Sequence, residues 1–236
     1  MSAGPRVAVA GALASVERRL LGSVAGEWGG VRAAAPPRPV VAVVGLATGC
    51  GATTVARALA GGLGARDPAG AAAVTSAALP RRGALVRSAS SARLARMLSR
   101  AAPIGARAAG RLCLVETEHL LALTAAAMDV APLVLDVTAG GDVAEATALA
   151  DQVVLVVSSS CEPALAEVVA TSLASSGPEP LCAVNRVRDT ARWHDRAAVL
   201  LPDTRLGARL AGAGHSTRGA FGPGLRELVD RCAVFA

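Results

Sequence analysis

From Val40 onward the chain alternates apolar runs of four to seven residues with longer stretches of helical periodicity, and this alternation constrains the fold more than any other feature. A short run that is apolar at every position has to be covered on both faces. That is the situation of a strand in a parallel sheet, with the helical stretches as crossovers. The strands expected are Val40–Gly45, Ala71–Thr75, Leu112–Glu116, Leu133–Val137, Val153–Ser158, Leu181–Asn185 and Val199–Leu201. The helices expected between and after them are Thr53–Leu63, Ala92–Arg100, Glu118–Met128, Val143–Ala150, Pro163–Ser172, Thr204–Ala211 and Gly224–Val234. The order predicts an α/β fold, a doubly wound and mostly parallel sheet with helices on both faces.

Upstream, Ala33-Ala34-Ala35-Pro36-Pro37-Arg38-Pro39 reads as a stiff, non-helical connector, because each proline fixes its own φ and extends the residue before it. The expected organisation is therefore an N-terminal arm and Pro-rich connector over residues 1–38, followed by one domain over 39–236. In the arm, the apolar stretch Val7–Ala14 is short and preceded by a single Arg6. Glu17, Arg18 and Arg19 then lead into an amphipathic pattern through Leu20, Leu21 and Val24, which argues against a secretory signal. The longest uncharged run, between Arg38 and Arg57, carries Gly45, Gly49, Gly51 and three threonines, an interior unsuited to a transmembrane helix. A soluble protein with no transmembrane segment is expected.

Composition removes several function classes. At 53% hydrophobic and 18% charged, the chain is the opposite of a disordered one. Aromatics amount to 2% with no Tyr, so recognition that depends on stacking platforms has little to work with. Cys50, Cys113, Cys161, Cys182 and Cys232 are odd in number and form no CxxC pair, which argues against a disulfide framework or a zinc site and for a reducing, cytoplasmic setting. His119, His194 and His215 are far apart and lack metal-ligand spacing. The net charge is +6, and all 24 basic residues are arginine. Arg186, Arg188, Arg192 and Arg196 form one cluster, but the arginines are otherwise scattered, so nucleic acid is permitted as a partner without being favoured.

The stretch Val40 to Arg57 carries the chemistry. A buried strand enters a Gly-rich turn, Ala47-Thr48-Gly49-Cys50-Gly51-Ala52-Thr53-Thr54, and leaves it as a helix. In such a turn successive main-chain N–H groups converge, and the helix N-terminus adds partial positive charge, so an anionic phosphate can be cradled. The Thr53 hydroxyl is suited to Mg²⁺. Glu116 with Glu118, and Asp142 with Glu145, read as solvated charges, and Ser158-Ser159-Ser160-Cys161 has no base placed to activate it.

The loop resembles that of the MinD/ParA-like P-loop NTPases (SIMIBI class), whose motif runs KGGxGKTT. Gly49, Gly51, Thr53 and Thr54 match, whereas Ala47 and Ala52 occupy the two lysine positions, a degenerate Walker A. Leu133 to Gly140 is similar to the family's strand ending in Asp-Thr-Pro-Ala-Gly. There the resemblance implies a Mg²⁺-shell role for Asp136, the catalytic candidate if the site is active, and a γ-phosphate switch at Gly140. It further implies that Thr48, Gly49, Cys50, Gly51, Ala52, Thr53 and Thr54 hold the nucleotide phosphates, that Thr53 and Asp136 hold metal, and that Asn185 in Val184-Asn185-Arg186-Val187 reads the base edge. Leu200-Leu201-Pro202-Asp203 resembles the late strand that closes over the base.

Phosphoryl transfer is catalysed by positioned positive charge, and the loop has lost both ammonium groups. Efficient ATPase activity is therefore not expected. The function the resemblance implies is that of a non-catalytic or very slow localisation or scaffold factor, similar to TadZ/CpaE-type or septum-site-type proteins. ATP or ADP, with Mg²⁺, would be a weak ligand or absent, and the chain would act as a homodimer or on a protein partner of a localisation or secretion system. Two alternatives stand beside it: an active ATPase in which arginine replaces lysine, and a DNA-binding partition-type module.

Overall fold

The computed structural model describes residues 38–75, 89–101, 105–109, 112–117, 120–128, 130–137, 143–188, 191–193, 198–212 and 222–233. Eight strands form one sheet: β1 (Val40–Gly45), β2 (Ala71–Thr75), β3 (Gly105–Ala109), β4 (Leu112–Glu116), β5 (Leu133–Val137), β6 (Gln152–Ser158), β7 (Leu181–Val187) and β8 (Ala198–Pro202). The helices are α1 (Ala52–Arg66), α2 (Ala89–Ala101), α3 (Leu120–Ala127), α4 (Val143–Leu149), α5 (Pro163–Ala174), α6 (Arg205–Gly212) and α7 (Gly222–Ala233), with a 3₁₀ turn at Ala191–Trp193. The expected strands are all present, four of them with the expected bounds. The expected N-terminal arm, apart from Arg38, lies outside the described residues.

The strand order is β3-β4-β2-β5-β1-β6-β7-β8, and every pairing is parallel except β3 with β4. The antiparallel β3 is absent from the expected set. Its sequence, Gly-Ala-Arg-Ala-Ala, contains no β-branched or aromatic residue, and it exists as a strand because β4 offers it an edge.

Because successive strand residues face opposite sides, the core divides into two layers. Val41, Val43, Val134, Val154 and Val156 pack with Val55 and Leu59 of α1 and with Leu228 and Val229 of α7. On the other side Ala42, Val44, Leu133, Leu135, Val153 and Leu155 pack with Leu94 and Leu98 of α2, Leu123 of α3 and Ala146 and Leu149 of α4. Leu225, Leu228, Val229 and Cys232 of α7 are all buried, so the final helix packs on the core, as its periodicity implies. Among the described residues no helix is long and apolar enough to cross a membrane.

The central strand β1 lies between β5 and β6. The chain leaves β1 toward β2 on one flank, whereas β5 crosses through α4 to β6 on the other. This reversal opens a crevice at the C-terminal ends of the strands, the place where open α/β sheets bind ligands.

Candidate phosphate loop and adjoining pocket

The loop that fills this crevice is shaped by its glycines. Leu46 N–H still pairs with the Val156 carbonyl at 3.0 Å, after which Cys50 N–H turns back to the Ala47 carbonyl at 3.2 Å. Gly49 and Gly51 adopt φ of 79° and 92°, in the left-handed region. Gly51 is the N-cap of α1 and offers no side chain to its N-terminus. The first main-chain helical bond runs from Val55 N–H to the Gly51 carbonyl at 3.0 Å. The amides of Ala52, Thr53 and Thr54 thus precede the hydrogen-bonded ladder and form the positive end of the helix. Ala47, Thr48 and Gly49 are exposed, whereas Cys50 and Ala52 are buried.

Beside the helix start, Thr53 Oγ1 donates to Asp136 Oδ1 at 3.2 Å, and Asp136 is almost wholly buried at 4% exposure. The two residues are 83 apart in sequence and are joined by the parallel pairing of β1 with β5, which sets Val43 beside Asp136. A hydroxyl and one carboxylate are hard oxygen donors. They suit Mg²⁺, which completes its shell with water and ligand phosphate rather than with a full protein cage. Thr53 and Asp136 are the residues that would hold it. No cluster of three or more His, Cys, Asp or Glu residues able to bind a metal occurs among the described residues.

Asn185 is buried at 4% exposure, and its amide is engaged within the protein. Its Nδ2 donates to the Cys50 carbonyl at 2.9 Å, and its Oδ1 accepts from Arg186 N–H at 2.9 Å. A β-bulge produces this aim. The β7–β8 register advances two residues on β8, from Leu200 to Pro202, against three on β7, from Val184 to Val187, and Arg186 takes φ of 60°. The side chain expected at the base edge thus clamps the loop, and a Cβ on Gly51 would overlap its Nδ2. Around it, Ser159 N–H bonds the Asn185 carbonyl, Ser159 Oγ bonds the Arg186 carbonyl, and Trp193 Nε1 reaches the Ser159 carbonyl. The serines after β6 therefore brace the bulge.

A pocket of about 310 Å³ lies between the loop and the ends of β7 and β8. Gly51, Thr54 and Asn185 line the loop side. Pro202, Asp203 and Thr204 line the other, where the family resemblance implies closure over a base, and Arg186, Arg188 and Arg205 complete the wall. The contribution of Arg205 was not singled out in the sequence. The available signal is Pro202-Asp203-Thr204, a helix-start pattern that places the next residue, a cation, at the positive end of α6. Thr204 Oγ1 does cap the helix, accepting from Gly207 N–H at 3.1 Å. Gly140, Arg196 and the three histidines lie outside the described residues.

No protein-family model matches the sequence, and no curated protein matches it. Solved structures do. The chain is similar to a ParA family ATPase from Chlorobium tepidum at TM-score 0.54 and 13% identity, over 81% of this chain and 98% of that one. A nucleotide-binding protein from Archaeoglobus fulgidus, solved in complex with ADP, aligns at TM-score 0.49 and 12% identity, over 81% and 91% of the two chains. Together with the strand order and the loop at the head of β1, the first of these gives the chain a ParA-like α/β P-loop NTPase fold.

Proposed function

We propose that this protein is a nucleotide-binding-fold localisation or scaffold factor that holds ATP or ADP weakly through main-chain amides and hydrolyses it very slowly or not at all. The observation that carries the reading is an intact Thr53–Asp136 pair beside a loop in which alanine occupies both lysine positions. The likeness to a ParA family ATPase supports phosphate chemistry at the loop. The missing ammonium groups argue against efficient turnover, because they are what neutralises charge developing on the transferred phosphoryl group. A homodimer, or a protein partner in a positioning or secretion system, is the working context.

The test is steady-state phosphate release by the full chain with Mg²⁺ and ATP. Turnover below about 0.1 per minute is expected, far under ordinary enzyme rates. A faster rate that disappears in Asp136→Ala overturns the reading. Calorimetric titration supplies the complementary arm. Ala52→Lys restores one charge-assisted phosphate contact of roughly 1.5–3 kcal/mol, so ATP should bind about ten- to a hundredfold tighter than to the native chain. A second reading, an ATPase served by arginine, is favoured by the arginines, Arg186, Arg188 and Arg205, among the residues that line the pocket with Thr54. The same phosphate-release measurement decides between the two.

A further inference from the structure

We infer that the outward faces of α2 and α3 form a docking surface for anionic lipid, on which the protein lies without spanning the bilayer. This goes beyond the proposed function, because it needs neither nucleotide nor the loop.

The pattern of α2 is the first argument. Arg93, Arg96, Met97 and Arg100 fall at i, i+3, i+4 and i+7, so they share one face of the helix, and all four are exposed. The opposite face buries Leu94 and Leu98, which turns the arginines away from the sheet. Neither α2 nor α3 contains an acidic residue, and among the described residues no carboxylate pairs with Arg93, Arg96 or Arg100. Like charges at this spacing repel one another until an anionic surface neutralises them.

The neighbouring helix supplies apolar surface. α3 packs against α2 in the same layer, where Leu123 joins Leu94 and Leu98 against the sheet. Its outward positions are Leu121, Ala122 and Ala125; Leu121 is 57% exposed, and Met97, among the arginines, is 39% exposed. Cations beside large apolar side chains are the chemistry of a membrane surface. Guanidinium forks take headgroup phosphates while the apolar side chains enter the acyl boundary. A duplex backbone would neutralise the arginines but would leave Met97 and Leu121 facing phosphate. α5 also exposes two large apolar residues, Leu165 and Val168, yet its one charged residue is Glu167, so it lacks the cationic half. The final helix, α7, packs across the sheet and is not part of this face.

The experiment floats the full chain with vesicles of phosphatidylcholine and phosphatidylserine, mixed at about two to one so that the surface is strongly anionic. Binding should appear at low salt, weaken as salt shortens the screening length, and be absent with phosphatidylcholine alone. Each arginine near such a surface is worth about fivefold in affinity, so Arg93→Gln, Arg96→Gln and Arg100→Gln together should lose on the order of a hundredfold. Arg226→Gln removes an exposed arginine of α7 and should cost far less, which separates the stripe from the net charge of +6. Met97→Ser with Leu121→Ser should also weaken binding, whereas Val168→Ser should not. Every substituted position is exposed, so the variants should fold, which circular dichroism checks. Any one of these results overturns the inference: no flotation with the anionic vesicles, a triple arginine variant that floats like the parent, Arg226→Gln as damaging as a substitution in the stripe, no effect of the paired serine substitutions, or a DNA duplex that displaces the vesicles through the same three arginines.

Discussion

At the scale of single residues, the site depends on contacts so close that small changes are expensive. Gly51→Ala would place a β-carbon against Asn185 Nδ2 on a backbone at φ 92°. Left-handed strain and overpacking together cost roughly 2–5 kcal/mol, and the expected outcome is a clear fall in the urea midpoint. Asn185→Asp keeps the acceptor for Arg186 N–H but turns a carboxylate oxygen toward the Cys50 carbonyl in place of the donor. A loss of about 2 kcal/mol is expected from the unsatisfied buried carbonyl, measured by the same denaturation. If Asn185→Asp were as stable as the parent, the clamp would not be what holds the loop. The glycines and threonines of the loop were legible in sequence, since a strand-to-helix turn needs them locally. The partner of Asn185 was not, because it lies 135 residues away and is reached only through a bulge.

At the scale of elements, α7 distinguishes packing from charge. It meets α1 through an exposed ion pair, Arg66 to Asp230, and it presents Leu228 to the core at 0% exposure. Screened surface pairs contribute about 0–1 kcal/mol, whereas truncating a buried leucine costs about 2–5 kcal/mol. Asp230→Asn should therefore leave thermal unfolding almost unchanged, and Leu228→Ala should lower it by several degrees in the same calorimetric scan. Elements were legible to the extent that their pattern was intrinsic. The valine- and leucine-rich runs specify β1, β4 and β5 unaided, and α7 announces its buried stripe at Leu225, Leu228, Val229 and Cys232. The alanine-rich β3 has no such pattern and takes its conformation from a neighbour's unpaired edge.

For the whole molecule, buried thiols link stability to alkaline pH. Burial pushes Cys232 up to about 12, and burial, with Cys161 nearby, pushes Cys182 up to about 11, from an ordinary value of 9.0. The folded chain therefore keeps protons that the unfolded chain has released, so stability is complete below pH 9 and is lost as pH rises from 9 through the folded values. The slope approaches ~1.4 kcal/mol per pH unit for a fully buried thiol and is smaller for the partly exposed Cys182. Urea midpoints measured from pH 8 to 11 should fall above pH 9, and Cys232→Ala should flatten that fall. In native protein both thiols should react with a thiol reagent far more slowly than after unfolding. The sequence by itself determined the layered α/β architecture and the glycine-rich turn that joins β1 to α1, because each follows from contiguous residues and from period and turn chemistry. Only the tertiary structure decided what Asn185 touches and which arginines share a cavity, because strand order and one bulge bring together groups that no local pattern connects.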